Sequence, residues 1–183
     1  MNALSPDYIR ILGVDPGSRI TGFGILQFPR GTVSLRTIQV IAVGTLRSKS
    51  TLSSSERTGY LHEALYQLAS QFQPQICVLE KAFTGINPHS ALRLGETRGA
   101  LIAAVRRLSI RVEELTPTQV KKTITGQGHA TKEQIALALK YLLSFDRGEL
   151  PADASDAVAI GLSYGLSFNS LNLAPKPPID ASI

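Results

Sequence analysis

The sequence is poor in the residues that stabilise small secreted domains. It has one cysteine, three histidines, one methionine and no tryptophan among 183 residues. A lone cysteine, Cys77, cannot form an internal disulfide, so we expect a protein of a reducing compartment rather than a disulfide-stabilised scaffold. No two histidines stand at ligand-like spacing, which leaves no signal for a zinc site.

Long apolar runs are also missing. No stretch approaches the roughly 18 consecutive apolar residues that a membrane-spanning helix needs, and the first residues lack a basic flank followed by an apolar segment. We therefore expect neither a membrane span nor a secretory signal, and by default a cytosolic protein.

What is present suffices for one ordinary domain. Apolar residues make up 43% of the chain, and a domain of this length buries roughly 70% of the surface that its unfolded chain exposes. We expect an N-terminal extension over residues 1–8, a folded domain over 9–168, and a proline-rich tail over 169–183 whose periodicity is too weak for a packed element.

The charge is mildly basic and unevenly distributed. The net charge is +5 and the pI is near 9.6. Residues 84–140 carry nine basic and four acidic side chains, a surplus of +5, whereas residues 141–183 carry two basic and five acidic ones, a net of −3. The cationic centre favours a polyanionic partner such as nucleic acid.

The order of apolar patterns and turn signals predicts an α/β domain. Three strands come first and form an antiparallel meander, then a helix that begins with the capping box Ser53 and Glu56, then two strands separated by a helix that starts at Asn87-Pro88. Three helices complete the chain. The result is a mixed sheet with helices on both faces. The predicted strands are 9–15, 21–28, 32–45, 76–80 and 110–115, and the later helices cover 87–108, a short segment after Thr116-Pro117, 131–143 and 152–168.

Four acidic residues stand where a plain surface would not need them. Asp15 and Glu80 each end an apolar strand, where an ionised carboxylate is costly to bury unless cations or donors compensate. Asp153 and Asp156 are three residues apart in a predicted helix, so they share one face. If the two strands are neighbours and the helix lies beside them, the four carboxylates converge.

Such a convergence of like charges favours a divalent cation. Carboxylate oxygens without cysteine or histidine partners suit Mg²⁺ or Mn²⁺ rather than Zn²⁺. Two ions about 4 Å apart are the usual arrangement for phosphodiester hydrolysis. Two of the acids, taken alone, also have a structural explanation: Asp15 precedes Pro-Gly as a turn residue often does, and Asp153 stands where a helix cap is common. Glu80 is harder to explain in this way, because a strand of four apolar residues seldom ends in Glu.

Five ordered motifs follow one another over residues 8–168. They are Asp15-Pro16-Gly17-Ser18-Arg19-Ile20-Thr21-Gly22-Phe23-Gly24; Glu80-Lys81-Ala82-Phe83; Ser90-Ala91-Leu92-Arg93-Leu94-Gly95 with Arg98-Gly99; Thr116-Pro117-Thr118-Gln119-Val120-Lys121-Lys122 through Thr131-Lys132; and Ala152-Asp153-Ala154-Ser155-Asp156-Ala157. With these motifs the sequence resembles the RuvC family of crossover junction endonucleases. The resemblance implies an RNase H-like fold with a mixed five-stranded sheet, three antiparallel strands and then two parallel ones. It also implies a homodimer that resolves four-way Holliday junctions in recombination and repair by paired nicks that leave 5′-phosphate ends.

The resemblance also assigns residues and partners. The four acids match the family's metal-binding catalytic residues, with Mg²⁺ or Mn²⁺ as cofactor and two ions per site. Lys121 and Lys132 match basic residues that assist the scissile phosphate, and Phe83 matches an aromatic that stacks on unpaired bases. Lys122 and Arg93 are further candidate DNA contacts. A branch-migration complex of RuvA- and RuvB-type proteins is the implied partner.

Other functions remain open at this stage. The Asp-Pro-Gly-Ser loop is also typical of the first phosphate loop of actin-like kinases, although those need two such domains and 183 residues leave no room for the second. A different RNase H-like nuclease, acting on RNA hybrids or as a transposase, would use the same acids. A non-catalytic junction-binding module is the third alternative. The stripe of Gly95, Gly99 and Ala103 packs either on the sheet or on a second subunit.

Overall fold

The central sheet is built from five strands. A computed structural model describes residues 7–31, 34–81, 87–143 and 152–168 of the chain. Within these ranges the strands are β1 (Tyr8–Asp15), β2 (Ile20–Pro29), β3 (Gln39–Arg47), β4 (Ile76–Glu80) and β5 (Arg111–Leu115). The helices are α1 (Ser54–Phe72), α2 (Pro88–Arg106), α3 (Pro117–Thr125), α4 (Lys132–Leu143) and α5 (Ala152–Phe168).

The strand order in the sheet is β3-β2-β1-β4-β5. The pairs β1–β2 and β2–β3 are antiparallel, and the pairs β1–β4 and β4–β5 are parallel. The predicted mixed sheet, three antiparallel strands followed by two parallel ones, is therefore confirmed. Parallel neighbours end at the same edge of a sheet, and this topology brings the ends of β1 and β4 together.

Local capping explains where the helices begin. The hydroxyl of Ser53 accepts a hydrogen bond from the Glu56 backbone N–H, and the Glu56 carboxylate accepts one from the Ser53 N–H over 2.7 Å. This capping box is the one that the sequence predicts. Asn87 caps α2 through its side-chain oxygen, with Pro88 at the first helical position, where a missing N–H does no harm.

The third strand is shorter than predicted. The sequence predicts it over residues 32–45, but β3 begins at Gln39, and Leu35–Thr37 form a short 3-10 turn instead; residues 32–33 lie outside the described ranges. The backbone N–H and the hydroxyl of Thr37 both donate to the Ser34 carbonyl, over 2.9 and 2.7 Å. Such local bonds compete with strand pairing, which a β-propensity argument does not register.

Helices cover both faces of the sheet, as predicted. Alternate residues of β1 face opposite layers: Leu12 and Val14 join a core cluster with α1 and α2 residues, while Ile9 and Ile11 join the cluster under α3, α4 and α5. The α5 helix lies directly across β1 and β2. The two layers therefore share one sheet but have separate cores, and the site forms at the edge of the α5 layer.

Glycines let α5 approach the sheet at backbone distance. A Cβ atom at Gly13 of β1 would overlap the carbonyl oxygen of Ala157, and one at Gly22 of β2 would overlap that of Asp153. Any side chain at these positions would push the helix away. The missing side chains therefore place the first turns of α5 next to the end of β1.

The outer parts of the predicted domain organisation are not all described. Residues 1–6 of the predicted extension and the whole predicted tail, 169–183, lie outside the described ranges. Among the helices that the structure does describe, none has the length and apolar character needed to cross a lipid bilayer.

Candidate active site

Two of the predicted acids lie side by side at the ends of parallel strands. The register of β1 and β4 pairs Val14 with Leu79, so Asp15 and Glu80 are the next residues on neighbouring strands. Val78 lies in the core under α5, and because strand side chains alternate, Glu80 points to the same face. Both carboxylates are only half-buried. The predicted neighbourhood of these two acids is thus observed.

The third and fourth acids come from the first turns of α5. Asp156 lines the same cavity as Asp15 and Glu80, and its side chain is 24% exposed. Asp153 does not line this cavity, but its charge raises the pKa of Asp15. The sequence placed both aspartates on one helix face; the structure puts Asp156 inside the site and Asp153 at its border.

Two lysines add positive charge to the lining of this cavity. Lys132, the first residue of α4, donates from Nζ to Asp156 Oδ2 over 2.8 Å. Lys121 of α3 lines the same cavity and lowers the pKa of Glu80 by its positive charge. We call this cavity, about 310 Å³ in volume and bounded by Asp15, Glu80, Asp156, Lys121 and Lys132, the acidic cleft.

A second cavity adjoins the acidic cleft. It has a volume of about 240 Å³ and shares Asp15, Glu80 and Pro117 with the cleft. On its far side it is lined by Leu94 and Arg98 of α2. The two acids therefore line two adjoining cavities, one under α4 and one under α2.

Asp15 is partly buried and lies close to three other carboxylates. Burial raises the pKa of Asp15 to about 7, and the negative charges of Asp156, Glu80 and Asp153 contribute to the rise, while Lys132 opposes the shift. Near neutral pH this carboxyl group is therefore held partly protonated. A cation placed among the acids would reverse that balance.

Glu80 and Lys132 respond to the same surroundings. Burial raises the pKa of Glu80, as does the charge of Asp156, while Lys132 and Lys121 lower it. The hydrogen bond from Lys132 to Asp156 raises the pKa of the lysine. The lysine is therefore firmly cationic and neutralises part of the negative charge in the cleft.

The donor set of the cleft fits a hard divalent cation. Its acidic side chains offer only oxygen atoms, the ligands preferred by Mg²⁺ and Mn²⁺. Over the described ranges, no group of three or more His, Cys, Asp or Glu side chains is already arranged to hold a metal ion. The ion pair with Lys132 occupies one carboxylate oxygen of Asp156 that a metal ion could otherwise bind.

Other predicted site residues are not brought into the cleft. Lys122 is exposed and does not line it, and Arg93 is exposed on α2. Phe83 lies outside the described ranges, so its predicted stacking role stays a prediction.

Sequence reasoning gave no role to Arg98, although this residue stands in one of the motifs. The sequence pattern that could have revealed it is the helical spacing, which places Arg98 on the same buried face of α2 as Leu101 and Val105.

This strand order, with carboxylates at the ends of β1 and β4 and on the helix that crosses them, defines an RNase H-like nuclease. The family model described as "Crossover junction endodeoxyribonuclease RuvC" matches residues 11–164. The chain belongs to the RuvC family of crossover junction endodeoxyribonucleases. Both the enzyme class and the family that the sequence predicts are confirmed.

Individual relatives agree. The crossover junction endodeoxyribonuclease RuvC of Chlorobium chlorochromatii is 41% identical over 152 residues, which is 83% of this chain and 77% of that protein. The one of Hydrogenovibrio crunogenus is 40% identical over 167 residues, 91% of this chain and 92% of that protein. Among solved structures, T. thermophilus RuvC in complex with Holliday junction substrate superimposes with a TM-score of 0.80 at 25% identity and covers 88% of this chain and 96% of that one.

Proposed function

We propose that the acidic cleft hydrolyses phosphodiester bonds in four-way DNA junctions, and that two copies of the chain nick two strands of like polarity to leave 5′-phosphate ends. The observation that carries the proposal is the meeting of Asp15, Glu80 and Asp156 with two lysines in one open cleft. The solved relative bound to a Holliday junction substrate supports the substrate. The activity would serve recombination and repair.

Asp15, Glu80, Asp153 and Asp156 are the residues that we propose as metal ligands. Their oxygens suit Mg²⁺, with Mn²⁺ as an alternative, and their number suits two ions. When bound, the ions would activate the attacking water and stabilise the leaving 3′ oxygen. The raised pKa of Asp15 implies that its carboxyl must lose a proton before it can ligate.

The two lysines are proposed to act on the scissile phosphate. Lys132 is 74% exposed at its side chain, so it has room to leave Asp156 once the carboxylates are otherwise neutralised. It also stands at the start of α4, where the positive end of the helix dipole favours an anion. Lys121 faces the cleft from α3. Together they would hold the phosphate and stabilise its developing charge.

Residues around the cleft are proposed to bind the junction arms. Lys122 is exposed next to Lys121, and Arg93 is exposed on α2 beside Leu94, which lines the adjoining cavity. Phe83 remains the proposed stacking residue for an unpaired base, a contact worth about 1–3 kcal/mol. Because such contacts release counterions from phosphates, junction affinity should fall steeply with salt.

The exposed face of α2 is proposed to form the homodimer. A Cβ atom added at Gly95 or Gly99 would meet no other atom within 4 Å, so this stripe does not pack on the sheet. Leu92 on the same helix is 65% exposed. An isologous contact through this face would place two clefts symmetrically for two cuts.

Sedimentation tests the proposed dimer face. Gly99→Gln should shift the monomer–dimer equilibrium toward monomer, whereas the control Gly59→Gln, at an exposed glycine of α1, should leave the equilibrium unchanged.

The wider setting is proposed from the family. A branch-migration complex of RuvA- and RuvB-type proteins would present the junction, and the enzyme would work in the cytoplasm, where its DNA substrate is found. Residues 9–168 would be the nuclease domain, with 1–8 and 169–183 as extension and tail. Co-purification of the full chain with the two partners on a synthetic junction would test the assembly.

A cleavage assay tests the central proposal. Full-length protein and Mg²⁺ should nick a synthetic four-way junction at symmetrical positions, and EDTA should abolish cleavage but not binding. Preferential cleavage of an RNA–DNA hybrid or linear duplex would instead favour another RNase H-like nuclease. Binding without cleavage under any divalent metal would favour a non-catalytic junction-binding protein.

A further inference from the structure

Arg98 of α2 joins the strand that carries Glu80 to the strand beside it. Its Nη1 donates to the main-chain carbonyl of Glu80 over 2.9 Å, and its Nη2 donates to the carboxylate of Glu114 on β5, with which it is ion-paired. The Arg98 side chain is only 11% exposed. One guanidinium therefore links α2, the end of β4 and β5.

The end of β4 needs such support because the sheet holds it on one side. The ladder with β1 stops at Leu79, whereas the ladder with β5 continues to Glu80. The Lys81 N–H also donates to the Leu115 carbonyl of β5, over 2.7 Å. The bond from Arg98 restrains the Glu80 carbonyl from α2, on the opposite side of the sheet from α5.

An arginine at this position is not explained by packing. The buried stripe of α2 continues through Leu101 and Val105, which are fully buried apolar residues. Burying a guanidinium there carries a desolvation cost that an apolar side chain would avoid, and the carboxylate of Glu114 offsets part of it. Arg98 lines the cavity next to the acidic cleft but not the cleft itself.

We propose that Arg98 is a positioning residue, which holds the main chain at Glu80 so that the Glu80 carboxylate stands where a metal ligand is needed. Its planar fork suits this role, because two directed N–H groups reach a carbonyl and a carboxylate at once. The inference rests on the metal-dependent cleavage proposed above. It adds a residue that touches neither metal nor substrate.

The test compares two arginines of the same helix. Arg98→Met removes both contacts, whereas the control Arg106→Met removes a similar bond, from Arg106 Nη1 to the Ile110 carbonyl over 3.1 Å, at the helix end away from the acids. Mn²⁺ binding to the full chain without DNA is measured by calorimetry. We expect about a 10-fold loss of Mn²⁺ affinity for Arg98→Met, and wild-type affinity for the control.

Three further measurements separate the possible outcomes. Junction affinity in EDTA should stay at the wild-type value; a loss there would mean that Arg98 contacts DNA and would overturn the proposal. A lowered melting temperature with unchanged Mn²⁺ affinity would also overturn it, by showing a packing role alone. Cleavage at limiting Mg²⁺ should fall about 10-fold and recover partly at high Mg²⁺.

A milder variant keeps the proposal testable if Arg98→Met does not fold. Arg98→Lys retains the charge but cannot direct two N–H groups, so its Mn²⁺ affinity should lie between those of wild type and Arg98→Met; full wild-type affinity would contradict the role of the fork. The two proposals can fail separately, because Mn²⁺ binding is measured without DNA. If the wild-type protein does not cut junctions, the proposed function is refuted. The Mn²⁺ affinities of the Arg98 variants would still test the positioning role of Arg98.

Discussion

Lys132 and Asp156 form an ion pair inside the acidic cleft, with the lysine Nζ 2.8 Å from the aspartate Oδ2. The pair joins α4 to α5 and places a positive charge among the carboxylates. The lysine thus supplies part of the neutralisation that a metal ion would otherwise provide. A cation that binds Asp156 has to compete with Lys132, and displacement would free the lysine for a phosphate.

The first prediction concerns this competition. Lys132→Met should bind Mn²⁺ more tightly than wild type, because the competing cation is gone, and yet cleave a four-way junction more slowly, because the phosphate loses a positive partner. Calorimetry with Mn²⁺ and single-turnover cleavage measure the two effects. As a control, Lys140→Met changes an exposed lysine of the same helix. Weaker Mn²⁺ binding by Lys132→Met would contradict the competition.

The second prediction concerns pH and stability. The carboxyl of Asp15 has a pKa of about 7 in the folded protein, against an ordinary value of 3.8. Between these two pH values the folded state binds this proton more tightly than the unfolded state does, so the free energy of unfolding of the wild type declines as pH rises. Asp15→Asn removes that decline. In EDTA the melting temperature of the variant should therefore exceed that of the wild type by more at pH 8 than at pH 5. An equal gain at both values would show that Asp15 titrates normally.

The third prediction concerns cleavage by the strand-end acids. Asp15→Asn and Glu80→Gln should each reduce single-turnover cleavage by at least about 100-fold, because the charge that holds the metal is lost, while junction binding in EDTA is retained. Glu63→Gln, at an exposed position of α1, is the matched control. Wild-type cleavage by either strand-end variant would disprove the assignment of these acids.

The fourth prediction concerns the close approach of α5. Gly22→Ala places a methyl group on the Asp153 carbonyl, so the helix must shift, and we expect a stability loss of about 1–3 kcal/mol or more. The shift moves Asp153 and Asp156, so cleavage should fall even at temperatures where the variant is folded.

Gly59→Ala provides the contrast for this prediction. Gly59 lies in α1 with nothing within 4 Å of its Cβ position, and alanine there should stabilise the helix by about 0.5–1 kcal/mol. Chemical denaturation of both variants measures the difference. If Gly22→Ala were as stable and active as wild type, the backbone contact would not position the acids.

Much of the fold was readable because local signals agreed with it. The capping box at Ser53, the Asn87-Pro88 start and the apolar run before Glu80 each depend on residues close in the chain. The prediction was wrong at the start of β3, where Thr37 bonds to the Ser34 carbonyl and turns the chain. A local hydrogen bond from a side chain to the backbone competes with the backbone hydrogen bonds of strand pairing, and the β-propensity of the residues alone does not decide between the two.

For the candidate site, the sequence by itself determined the chemistry: carboxylates at the ends of two apolar strands, a pair on one helix face, and lysines in a cationic segment. Only the tertiary structure decided which of them meet. It put Asp156 inside the cleft and Asp153 at its border, paired Lys132 with Asp156, left Lys122 outside, and added Arg98 behind Glu80. The reason is that residue type is local, whereas distance depends on strand register and on how closely α5 packs against Gly13 and Gly22.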